Sequence, residues 1–353
     1  MTSCFPAIRR APLPLIALTL LAAGLPACVD AQSAGPSATV PPSLSALVES
    51  ITKSTVHGHL SFLASDALRG RDTPSQGLEA AAAYIESRHR LYGLEPAGEN
   101  GSWVQRFPFG GAMVPNVLAM LPGSDPALRD EYIVLSAHFD HVGVGNPMNG
   151  DSIYNGADDN GSGTTALLEV ARVLAALPEA ERPRRSVIFA HVSAEEKGLL
   201  GSRWWVENPT VPIENVIANL NADMVGGEAH PDTLVILGKE YSSLGPLIDA
   251  VNARMPELNL TTAPDLWPQE RLFFRSDQFN FMRREIPALF LFTGLHECYH
   301  RPCDNIDFVS EDKVMRVSRL LAHTVMEIAN QDARPQWDPA GLEEVRRMTS
   351  GGG

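Results

Sequence analysis

Six short apolar runs, at residues 116–120, 132–137, 186–192, 216–220, 233–237 and 288–292, punctuate the chain. Each is bounded by polar or turn-forming residues and is too short for a buried helix, so each reads as a strand covered on both faces. Between them, apolar positions at helical spacing predict helices over 163–177, 198–207, 242–253, 278–284 and 311–329. Residues 46–95 also read as helical. Leu60, Leu63 and Leu68 recur, then the apolar spacing from Ala80 to Leu91 is broken by Glu86, Arg88 and Arg90, and Gly93 is placed to stop the helix. No internal repeat is visible. This alternation predicts an α/β fold: one three-layer α/β/α sandwich over 46–332, with a mixed, mostly parallel central sheet. In such sheets ligands bind beyond the carboxyl ends of the strands. The tail, 333–353, is polar and expected to fray.

The N-terminus stands outside this pattern. Arg9 and Arg10 precede an apolar stretch from Leu13 to Leu25, the layout of an export signal. That stretch is too short for a membrane span. Leu25-Pro26-Ala27-Cys28 resembles a bacterial lipobox, which implies a lipidated Cys28 and a membrane-anchored, periplasmic product; cleavage without lipid would give a soluble exported one. Residues 1–28 are thus read as signal and 29–45, rich in Ala, Ser, Pro and Gly, as a linker. The net charge of −14 repels phosphate backbones and argues against nucleic acid as a partner. Only Cys298 and Cys303 fall in the folded part, where export favours a disulfide between them. One thiol pair excludes a zinc site built from four thiolates.

Chemistry then gathers at the strand ends. Ala137-His138-Phe139-Asp140-His141 closes one apolar run. Period-2 geometry puts His138 and Asp140 on one side and His141 on the other, a ligand and its orienter. Asn155-Gly-Ala-Asp158-Asp159-Asn-Gly-Ser-Gly offers two acids in a loop poor in side chains; its spacing fails the EF-hand pattern. Glu195 and Glu196 follow the run at 186–192, Asp223 follows 216–220, and His296 and His300 follow 288–292. Alone, each is an ordinary cap, turn or ion pair. Together they mix nitrogen and oxygen donors in a way that suits Zn²⁺, with Mn²⁺ or Co²⁺ as substitutes. The acids are too many for one ion; two ions ~3.5–4 Å apart, bridged by a carboxylate, would relieve their repulsion.

These motifs, with Ser193-Ala-Glu195-Glu196-Lys-Gly-Leu-Leu-Gly-Ser, Asn221-Ala-Asp223-Met-Val-Gly, Tyr299-His300 and Leu60-Ser-Phe-Leu-Ala-Ser-Asp-Ala-Leu-Arg-Gly-Arg, resemble the M28 family of co-catalytic zinc peptidases over about 55–325. The resemblance implies two Zn²⁺ per chain: His138 and Asp223 on one, Glu196 and His300 on the other, Asp158 bridging both. It implies Glu195 as general base, Asp140 as the orienter of His138, and a cis peptide at Asp158–Asp159. Tyr299 is a candidate donor to the oxyanion. One departure stands out: Gln278 occupies a place where the family commonly has His, which puts substrate positioning there in doubt. Only the short stretch 100–115 is available for a protease-associated insert, so none is expected. The implied activity is an aminopeptidase acting on peptides. The alternatives are a carboxypeptidase-type peptidase, a glutaminyl cyclase, or a non-catalytic binding protein on the same fold.

Overall fold

The computed structural model describes residues 41–350; the expected export signal, Cys28 and most of the expected linker lie outside the described residues. The helices are α1 Pro42–Glu49, α2 Lys53–Leu63, α3 Gln76–Tyr92, α4 Gly163–Ala175, α5 Leu200–Glu207, α6 Leu244–Ala253, α7 Gln278–Met282, α8 Glu311–Asn330 and α9 Pro339–Ser350. The strands are β1 Glu95–Pro96, β2 Val104–Phe109, β3 Ala112–Leu121, β4 Tyr132–His138, β5 Gly143–Met148, β6 Asp151–Tyr154, β7 Ser186–Val192, β8 Val216–Ala222, β9 Thr233–Leu237, β10 Thr261–Ala263 and β11 Ala288–Phe292. Local chemistry marks the early helices. Thr52 and Thr55 close a capping box on α2, Ser75 caps α3, and Gly93 ends α3 in the left-handed region at φ 77°.

The main sheet runs β1-β3-β7-β4-β8-β11-β9-β10, with β2 paired to β3. β7, β4, β8 and β11 pair in parallel through the centre. Antiparallel pairing joins β3 to β7 on one flank and β9 to β11 on the other. Every residue of β7, β8 and β11 is buried. Alternation sends Val187, Phe189, Leu289 and Leu291 into one core with Val170, Leu174, Val317 and Leu321. It sends Ile188, Ala190, Phe290 and Phe292 into a second core with Trp205, Phe281 and Val345. The sheet is therefore sandwiched, as continuous apolar strands require. The stretch 100–115 holds β2 and the start of β3, and a separate ribbon pairs β5 with β6.

Over its described residues the tail does not fray. α9 docks through Val345, which is wholly buried, and Trp337 Nε1 donates to the Glu285 carbonyl at 2.9 Å. Its apolar stripe, Leu342, Val345 and Met348, is one residue wide at three-residue spacing and is masked in the sequence by the charges around it.

Arg71 is the internal tie between the helical N-terminal segment and the strand ends. Its guanidinium, 1% exposed, donates to the carbonyls of Leu63, Phe139, Asn155 and Gly156. Burial pulls its pKa down to about 10, still cationic, with Asp304 and Asp140 opposing the shift. Arg71→Met should leave four buried carbonyls unmet and the nearby acids uncompensated, costing about 3–5 kcal/mol in urea unfolding; an unchanged midpoint would show the cation to be dispensable.

Candidate metal centre

Parallel pairing aligns the carboxyl ends of β4, β7, β8 and β11 along one sheet edge. His138 ends β4, Glu195 and Glu196 follow β7, Asp223 follows β8, and His300 lies in the loop after β11. Ala194, Met224 and His300 have φ of 56°, 51° and 54°. Left-handed backbone costs a non-glycine residue roughly 1–2 kcal/mol, and here it re-aims the chain beside Glu195, beside Asp223 and at His300 itself. The segment 157–162 enters from β6. The Asp304 carboxylate accepts the N–H groups of Asp158 and Asp159 at 2.8 and 3.1 Å. Asn160 donates to the Ala222 carbonyl at 3.0 Å, so the loop is tied to the end of β8.

Two donor groups result: His138, Asp159 and Asp223 in one, His141, Asp159, Glu196 and His300 in the other. His138 Nε2 lies 3.4 Å from Asp159 Oδ1 and 3.3 Å from Asp223 Oδ1. His300 Nε2 lies 3.1 Å from Asp159 Oδ2 and 3.1 Å from Glu196 Oε2. Donors on a tetrahedral ion with bonds of about 2.0–2.1 Å stand about 3.3 Å apart. Both groups therefore have the spacing of ligands around one ion each. Asp159 Oδ2 and His300 Nε2 are buried without a hydrogen-bond partner although they are neighbours. A divalent cation between them would satisfy both, with His300 in its neutral form. His138 is oriented from behind: its Nδ1 faces the Asp140 carbonyl at 3.2 Å and the Asp140 carboxylate at 3.6 Å. Asp140 is in turn held by Thr73 Oγ1 at 3.1 Å and by the Glu195 N–H at 3.2 Å.

Electrostatics separates the acids. Burial pushes Glu195 well above the usual carboxylate range; His138 tempers the shift and Glu196 adds to it. Burial likewise raises Asp223, against the opposing pull of His138. For Asp159 burial is outweighed by His141, His138 and His300, which hold it well below its usual value. Burial opposes a charged His300, yet Asp159 and Glu196 carry it up to about 10. With no cation present the imidazoles hold protons against the ionised Asp159; a cation would take the place of those protons, since an imidazole ligates only when neutral.

One expected role moves. Asp158 does not face the donor groups: its Oδ1 accepts the Gly226 N–H at 2.7 Å and its Oδ2 lies 3.2 Å from His296 Nε2. The shared carboxylate is Asp159, and the cis peptide is Asp159–Asn160, each one residue beyond its expected place. Two successive acids project differently from an irregular loop, and strand periodicity does not extend to it. Tyr299 stacks on His300 with ring centroids 3.9 Å apart, and burial followed by Asp159 keeps its phenol protonated. Gln278 is buried behind the site, donating to the Phe273 carbonyl at 2.9 Å. Cys298 and Cys303 are bonded across the loop that carries Tyr299 and His300. Beside the donors lies a small cleft walled by Leu272, Phe290, Phe292 and Leu295, with Arg275 and Tyr299 also lining it.

The sequence pattern of "Peptidase family M28" matches residues 116–325. The chain is 27% identical to leupeptin-inactivating enzyme 1 of Streptomyces exfoliatus, over 87% of this chain and 67% of that one. It is 29% identical to aminopeptidase Y of Saccharomyces cerevisiae, over 61% of this chain and 39% of that one. The chain spans about a third to two thirds of the length of such curated relatives. Its fold superposes on the LapA aminopeptidase of Legionella pneumophila with a TM-score of 0.64 at 19% identity, covering 82% of this chain and 74% of that one.

The two adjacent acids can be told apart by metal analysis of purified variants. Asp159→Asn, which removes a donor from both groups, should strip bound metal. Asp158→Asn should retain it. The opposite pattern would restore Asp158 as the shared ligand.

Proposed function

The chain belongs to peptidase family M28, and on that premise we propose that it is a zinc-dependent exopeptidase that removes N-terminal residues from peptides. The observation that carries the reading is a division of labour: two donor groups share Asp159, while Glu195 belongs to neither and stands 4.0 Å from His138 Nε2. His138, Asp159 and Asp223, and Asp159, Glu196 and His300, would each hold a zinc ion, which would supply Lewis acidity towards a water and a carbonyl oxygen. Glu195, its basicity raised by burial, accepts the proton of the attacking water and passes it to the leaving amine. Tyr299, kept protonated, donates to the carbonyl oxygen as negative charge develops there. Leu272, Phe290 and Phe292 exclude water and receive an apolar side chain. The small cleft and the acids beside it favour a substrate that ends there with a free, cationic amine.

Glu195→Gln should keep the bound metal and lose ~10²–10⁴ in kcat; a wild-type rate would remove Glu195 from the proton path. A panel of free and N-blocked peptides, assayed with and without chelator, tests the reaction class. Chelator-sensitive cleavage confined to free amino ends is expected. Cleavage from the carboxyl end, or cyclisation of N-terminal glutamine by a protein carrying one metal, would replace the aminopeptidase reading.

The same proposal places the protein outside the cytoplasm, held to the membrane through lipid on Cys28. Its support is the basic-apolar-Cys pattern of residues 9–28. Cys28→Ser should move the protein from the membrane fraction to the soluble one; unchanged fractionation would remove the anchor.

A further inference from the structure

His141 stands outside the ligand set that the family resemblance implies, yet it is built into the cluster. Its side chain is wholly buried. Nδ1 lies 3.0 Å from Glu196 Oε1 and 3.7 Å from Asp159 Oδ2. His300 approaches the same two carboxylates, and the two rings meet edge to face with centroids 5.5 Å apart. Gly156, at φ +61°, makes the room: a Cβ there would meet the His141 ring at 2.4 Å. The His141 N–H bonds the Arg71 carbonyl at 3.3 Å, so the buried guanidinium segment sets its position. Two imidazole nitrogens and two carboxylate oxygens thus lie within 4.8 Å of one another. Among the described residues the neighbouring group has three donors.

We propose that His141 is a fourth protein ligand of the ion at Asp159, Glu196 and His300, so that the two metal sites are unequal. A four-ligand tetrahedral site is closed and holds its metal tightly, whereas a three-ligand site keeps a position open for water or substrate. The His141 site therefore fills first and anchors the shared Asp159. The His138–Asp223 site fills second, exchanges its ion more readily and carries the open position. Two carboxylates and two neutral imidazoles around a divalent ion also leave the closed site electrically neutral, which suits its burial.

This inference rests on the reading of a two-metal enzyme, and the test separates the two. Zinc titration of the metal-free full chain should show two ions, the first bound at least tenfold more tightly. With one equivalent of Co²⁺, X-ray absorption should report two imidazole nitrogens on the bound ion. His141→Ala should weaken the first ion by more than about 100-fold, beyond the 10–100-fold loss typical of a residue that only hydrogen-bonds a ligand, and His141→Gln, which retains a donor for Glu196 but not an imidazole, should not recover it. One imidazole in the one-equivalent wild-type form, or recovery by His141→Gln, would reduce His141 to a hydrogen-bond partner of Glu196 and overturn the proposal. A wild-type chain that takes up a single ion, or none, would instead refute the two-metal reading itself. The spectroscopic arm needs no variant and stands even if His141→Ala fails to fold.

Discussion

Asp140, Asp158, Asp159, Glu195, Glu196, Asp223, Asp277 and Asp304 are crowded into a single region of the molecule, each buried or nearly so. Their mutual repulsion is the quantity that the surrounding structure answers. Arg71 supplies a fixed positive charge below them, felt by Asp304, Asp140, Asp159 and Glu196. The imidazoles of His138, His141 and His300 stand between the carboxylates and accept what cations or protons are present. Backbone N–H groups at Asp158, Asp159, Glu195 and Gly226 take up part of the remaining acceptor capacity. Asp277 is compensated less: burial carries it to about 7, although His138 and the Ser202 hydroxyl oppose the shift.

That unequal compensation gives adjacent acids different chemistry. Glu195 and Glu196 are sequence neighbours, yet burial raises the first while His141 and His300 overcome burial to lower the second. Groups whose environments push their pKa values apart are the ones that divide acid-base work from charge binding. The division follows from which strand end each side chain faces, not from the residue type.

Most of this was legible in the sequence because the sheet is regular. The apolar runs at 186–192, 233–237 and 288–292 coincide with β7, β9 and β11, and the acids and histidines after such runs had to meet at one edge once those strands paired in parallel. Legibility stops where periodicity stops. Asp158 and Asp159 sit in a loop whose backbone is set by Asp304, far along the chain, so the sequence does not tell which of them turns inward. His141 was assigned to the far side of a strand that ends at His138; beyond that point the chain bends and the ring returns to the cluster. Arg71 gave no signal beyond its motif, because its role is to serve carbonyls from three separate segments.

The loops at the sheet edge are therefore the elements that must be rigid, and each is fixed by something other than strand pairing. The segment 157–162 is pinned between Asp304 and the end of β8. Asp304 itself follows Cys303, whose bond to Cys298 spans Tyr299 and His300. The covalent link thus reaches both donor groups: directly through His300, and through Asp304 to the backbone of Asp159, the carboxylate they share. Metal affinity depends on holding donors in place before the ion arrives, since ordering them at binding would cost conformational entropy for each side chain. A short bridged loop that fixes one ligand and orients the backbone of another meets that requirement with few residues.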